Sequence, residues 1–91
     1  MPQRTVTIVN RKGLHARSAA KLVALGKELP CKVEIHHCDK RADCTSMMAL
    51  MMLAAGLGTE ICVHAEGERA EDALNAVCQL IEAGFDELNE E

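Results

Sequence analysis

A chain of 91 residues is enough for one domain and one core, with no room for a large cofactor cleft beside a substrate domain. Apolar residues make up 48% and charged residues 26%, an ordinary globular balance, with Phe85 the single aromatic side chain and a net charge of −4. One aromatic face cannot build a base-stacking platform and an acidic chain does not attract a polyanion, so no nucleic-acid partner is expected.

The start, Met1-Pro2-Gln3-Arg4, leads straight into a strand pattern rather than a secretory leader. The longest apolar run, Met47 to Leu57, falls well short of the roughly 20 residues that span a bilayer, so no membrane insertion is expected. The cysteines are Cys31, Cys38, Cys44, Cys62 and Cys78, an odd set without a C-x-x-C pair. Reduced thiols in a cytoplasmic protein, mostly packed as small hydrophobes, are the expectation.

The elements follow in chain order. Arg4 to Val9 alternates Val6 and Ile8 with Thr5 and Thr7, which predicts a strand. Asn10-Arg11-Lys12-Gly13 is a polar loop. From Ala16 the apolar period lengthens, placing Ala19, Leu22, Val23, Gly26 and Leu29 on one helical face that Pro30 ends. Cys31, Val33 and Ile35 alternate with Lys32, Glu34 and His36 as a second strand. Cys38-Asp39-Lys40 turns into a short third strand over Arg41 to Asp43. Thr45-Ser46 precede an apolar helix closed by Gly56 and Gly58, with Leu50, Leu53 and Ala54 expected to face the sheet. Residues 59–66 alternate as a fourth strand. Ala70, Ala73, Leu74, Val77, Leu80 and Ile81 mark a last amphipathic helix. Glu68, Glu71 and Asp72 favour its start. Gly84 suits its left-handed end, with Phe85 folding back near Leu80. The order βαββαβα predicts an α+β domain over residues 1–91, a four-stranded antiparallel sheet with three helices on one face.

Charge is polarised along the chain. Residues 1–27 hold Arg4, Arg11, Lys12, Arg17, Lys21 and Lys27 and no acid, whereas residues 60–91 are acidic with Arg69 the lone base. Within the basic end lies Gly13-Leu14-His15-Ala16-Arg17-Ser18-Ala19-Ala20. A helix start presents unpaired N–H groups and favours negative charge. The same field disfavours an imidazolium, so a neutral, nucleophilic His15 is expected, and Arg17 supplies a cation suited to phosphoryl oxygens. Taken alone, His15 also reads as an ordinary cap on a polar loop.

The G-L-H-A-R-x-A-A segment resembles the phosphocarrier motif of the HPr family, histidine carriers of the phosphoenolpyruvate-dependent phosphotransferase system. The stretch from Thr45 through Gly56 is similar to that family's second signature, a serine followed by a Met-rich helix, and the element order agrees over essentially the whole chain. The resemblance implies that His15 carries a phosphoryl group on Nδ1 with help from Arg17. It further implies that an Enzyme I-type phosphotransferase donates the group and that a IIA-type protein accepts it. The resemblance implies no cofactor, and a stoichiometric carrier, expected to act as a monomer, rather than a turnover enzyme. Ser46 resembles the family's regulatory serine, a target for a serine kinase. The spellings S-A-A-K and M-M-L-A-A-G look more like the nitrogen-related branch, or the single alphaproteobacterial-type carrier, than the sugar-transport protein of enteric bacteria.

Where the family usually has proline after the motif arginine, this chain has Ser18. Its hydroxyl is suited either to a phosphoryl contact or to a helix cap, and transfer with altered rates is expected. Met47, Met48, Met51 and Met52 cannot all be buried in so short a helix, and polarizable, adaptable side chains suit a docking face for successive partners. Two other readings stay open. One is a regulatory docking protein switched by phosphorylation of His15 or Ser46. The other is a metal-binding module built from His36, His37, Cys38, Cys44, Cys62 and His64, which has no recognised ligand spacing.

Overall fold

A computed structural model describes residues 2–87 and contains strands β1 (Gln3–Thr7), β2 (Lys32–His37), β3 (Lys40–Asp43) and β4 (Glu60–Glu66). The helices are α1 (Ala16–Glu28), α2 (Met47–Met52) and α3 (Ala70–Glu82), and a 3-10 turn, Gly84–Asp86, follows α3. The acidic residues Glu90 and Glu91 lie outside the described residues. The sheet order is β1-β4-β2-β3, and every neighbouring pair is antiparallel.

Period-two patterning fixes which face is buried. Val63 pairs with Ile35, and Ile35 in turn pairs with Ala42, while Val6 pairs with Ile61. All five are buried under the helices. Each fully buried Val, Leu or Ile contributes about 1.5–3 kcal/mol, so this row and its helical counterparts Leu22, Leu50, Leu74, Val77 and Ile81 carry most of the stability. The opposite face presents Thr5, Cys62, His64, Glu34, His36 and Arg41 towards solvent. The α+β, two-layer arrangement predicted from the alternation is the one observed.

Several boundaries differ from the sequence reading. Strand β1 begins at Gln3 and its regular part ends at Thr7, although Ile8 stays paired through its N–H to Thr59 O at 2.9 Å. Strand β3 begins at Lys40, because Cys38 takes a left-handed φ of 56° and turns the chain within two residues. Leu80 is only half-buried and Cys78 takes the buried position on α3. Helix α2 stops at Met52, and Ala54 is exposed rather than facing the sheet. The cause is a left-handed Ala54, φ 54°, which turns the chain so that buried Ala55 offers its carbonyl to the Leu14 N–H at 2.8 Å.

The cysteines are all free: Cys44 and Cys78 are buried, Cys31 and Cys62 half-buried and Cys38 exposed. Burial pushes the Cys44 thiol up to about 12. That thiol is packing, not a nucleophile.

Candidate functional site

Helix α1 begins where the Asn10–Gly13 loop ends, and two contacts hold that junction. Gly13 has φ 65°, and a β-carbon there would lie 2.4 Å from Ala55 O, so the loop passes closer to the α2–β4 connection than any side chain permits. Leu14, 6% exposed, anchors the same loop in the core.

His15 is the N-cap of α1, in extended conformation. Its own N–H donates to Ser18 Oγ at 3.0 Å, and the Ser18 hydroxyl donates to Gly13 O at 2.8 Å. Ser18 is completely buried. Of the two roles the sequence leaves open, the structure shows the cap. The hydroxyl has Gly13 O at 2.8 Å and His15 O at 3.3 Å as acceptors for its one proton, and its oxygen accepts the His15 N–H, which ties the first turn of α1 to the loop.

The His15 side chain is 28% exposed and its Nε2 lies 3.0 Å from both carboxylate oxygens of Glu87. Glu87 is buried, its side chain 4% exposed, and Asn10 Nδ2 donates to its Oε1 at 3.0 Å. The other Asn10 amide proton goes to Gly13 O at 2.9 Å. Burial pushes the Glu87 carboxyl up. The His15 and Asn10 hydrogen bonds, with the charge of Lys21, outweigh it and leave Glu87 below the ordinary carboxylate value. Arg17 is exposed in the first turn of α1, on the same junction as His15. Glycine, histidine and arginine of the motif are thus brought together as the sequence suggests. Asn10 and Glu87 were not singled out by sequence reasoning, since Asn10 reads as loop polarity and Glu87 as one more acid in an acidic tail.

The second signature sits alongside. Asp43 accepts from Thr45 N–H and Oγ1–H at 2.8 and 2.6 Å, bonds that hold its carboxyl below its usual value. This turn delivers Ser46 as the N-cap of α2, its Oγ accepting the Ala49 N–H at 3.3 Å. Met48, Met51 and Met52 are 75%, 43% and 68% exposed, whereas Met47 packs partly into the core. The exposed methionines on α2 are therefore three, not four. Patches of this kind mark contact surfaces.

The histidine and cysteine set does not assemble around one point. His36 pairs with Cys62 across the strands, and the rings of His36 and His64 stack with centroids 3.9 Å apart on the open face. His37 points the other way, with Nδ1 against Leu53 O at 3.1 Å, and Cys44 is in the core. Among the described residues no group of three His, Cys, Asp or Glu is arranged to hold a metal ion. Nor is any described helix long and apolar enough to cross a membrane.

Comparison with known proteins adds an independent line. The sequence model of the family described as "PTS HPr component phosphorylation site" matches residues 2–83. The chain is 49% identical to phosphocarrier protein HPr of Pseudomonas putida over 88 residues, 96% of this chain and 98% of that protein. It is 42% identical to phosphocarrier protein NPr of Shewanella violacea, covering 96% of each. Its fold is similar to the crystal structure of HPr-C-His from Thermoanaerobacter tengcongensis, with TM-score 0.89 and 32% identity over 94% of this chain and 97% of that one.

Proposed function

The chain belongs to the HPr family of phosphocarrier proteins of the phosphotransferase system, and from that premise we propose that His15 is its phosphoryl acceptor. The observation that supports this most directly is the orientation of the ring. A carboxylate only accepts, so the short contacts with Glu87 make Nε2 the protonated nitrogen and leave the lone pair on Nδ1. Nδ1 then belongs to a ring standing at the start of α1, where the helix dipole favours the incoming phosphoryl oxygens. An Enzyme I-type phosphotransferase supplies the group and a IIA-type protein receives it. Both dock beside the methionine patch, and the carrier acts as a monomer in a cytoplasm.

Incubation with Enzyme I and phosphoenolpyruvate, followed by an acceptor protein, tests the reading. Label must appear on His15 and then move on. A chain that takes label without passing it on is a switch and not a carrier.

Arg17 contributes charge stabilisation of the phosphoryl oxygens. Arg17→Ala is expected to slow acceptance by about 10–100-fold through loss of one charged donor. Rapid-quench kinetics check this, and unchanged rates remove Arg17 from the site.

Ser46 is assigned a regulatory role as the target of a serine kinase. Its cap bond is worth about 1 kcal/mol, and an acid serves the same cap. A phosphate there adds about −1.5 to −2 charges at the favourable end of the helix, beside the docking patch. Ser46→Asp is therefore expected to keep the melting temperature level or higher while weakening acceptance from Enzyme I. Wild-type acceptance across salt concentrations would leave Ser46 as a cap only.

A further inference from the structure

We infer that Glu87 is a positioning residue for phosphoryl transfer: it holds the His15 ring through Nε2, fixes the tautomer that presents Nδ1, and balances the charge that the ring acquires. This rests on His15 being the acceptor. Glu87 itself lies beyond residue 83, where the match to the family model stops.

The segment that carries Glu87 is built to place it. Gly84, Phe85 and Asp86 all take left-handed backbone angles, with φ of 67°, 56° and 61°. For Phe85 and Asp86 such angles cost stability and persist only where surrounding contacts impose them. Those contacts are present. Phe85 is completely buried, Lys21 Nζ of α1 donates to Phe85 O, and the Glu87 N–H donates to Gly84 O at 2.9 Å. The end of α3 is thereby folded back onto the start of α1, and Glu87 enters a nearly closed space between Asn10 and His15. A carboxylate buried with two donors aimed at it is an oriented group, not a surface acid.

Its chemical consequence follows from the balance of the transfer. The Nδ1 lone pair forms the new N–P bond, the bond from phosphorus to the donor nitrogen breaks, and its electron pair stays on the donor. No proton moves. The His15 ring then bears both Nδ1–P and Nε2–H and is positively charged, facing a carboxylate at 3.0 Å. An acid that orients a histidine and offsets its developing charge plays the same part in hydrolytic triads, without itself taking a proton.

The test uses the full chain, uniformly labelled with nitrogen-15, and phospho-Enzyme I as donor. The wild type is expected to show a slowly exchanging, downfield Nε2–H resonance for His15. Glu87→Leu should lose that resonance and accept phosphoryl groups about 10–100-fold more slowly at saturating donor, with half-saturation unchanged. Glu87→Gln keeps an acceptor oxygen but no charge, so it should retain the resonance and recover part of the rate. Retention of the resonance in Glu87→Leu, or rates within about twofold of wild type in both variants, overturns the inference. If Glu87→Leu does not fold, Glu87→Gln decides alone: a wild-type rate overturns it and a slower one supports it. Failure of wild-type label to reach His15 is a separate result, which removes the phosphocarrier assignment and leaves the ring geometry standing.

Discussion

His15→Ala is expected to abolish phosphoryl acceptance altogether, because the lone pair that forms the N–P bond is removed and no other described histidine stands at a helix start. His36 and His64 are stacked on the open face of the sheet and His37 is bonded to the end of α2. Burial and the neighbouring His36 hold the His64 ring below the usual histidine value, so it stays neutral, but it lies on β4 with no helix start beside it to receive phosphoryl oxygens. The fold should survive the substitution with a loss of about 1–3 kcal/mol, since buried Glu87 forfeits one charge-assisted partner but keeps Asn10. Labelling with phosphoenolpyruvate and Enzyme I checks the first half, and chemical denaturation the second. Acid-labile, base-stable phosphate retained by the variant would assign the carrier role to another histidine.

Gly13→Ala is expected to be the most damaging single-methyl change in the molecule, costing about 2–4 kcal/mol. Two independent penalties combine. At φ 65° any β-carbon is strained, and this one would sit 2.4 Å from Ala55 O and 2.7 Å from Gly56 Cα, both backbone atoms that cannot rotate away. Relief requires the loop to withdraw from the α2–β4 connection, stretching the bond from Leu14 N–H to Ala55 O. That movement also shifts His15 relative to Glu87, so slower transfer should accompany lower stability. For a domain of this size the melting temperature should fall by roughly 10–25 °C. Gly58→Ala is the control. Its φ of 84° carries the backbone strain, but nothing lies within 4 Å of the added carbon, so only about 1 kcal/mol is expected. Equal losses at the two positions would remove the steric argument.

Local pattern was enough for the elements themselves. Alternation in residues 5–8, 32–36 and 59–66 marks strands because a half-buried strand must alternate. The spacing of Ala19, Leu22 and Gly26 marks α1 because a helix buries one stripe, and all three are buried. Boundaries were less legible where a tertiary bond ended an element early. Helix α2 continues apolar through Ala55, yet stops because the chain must turn at Ala54 to meet Leu14. No periodicity encodes that meeting.

The sequence by itself determined the α+β order, most of the core face of each element, and the place of His15 at a basic loop-to-helix junction, since these depend on neighbours a few residues apart. Only the tertiary structure decided what holds the His15 ring. That is Glu87, which is 72 residues away along the chain and reaches Nε2 through a fold-back anchored by Phe85. It also decided that Ser18 is a cap, because its burial follows from how α1 lies against the sheet and α3. In a local sequence window Glu87 is one acid among many. A directed hydrogen bond is a property of three-dimensional proximity, and the residues that make it carry no mark of it in their spacing.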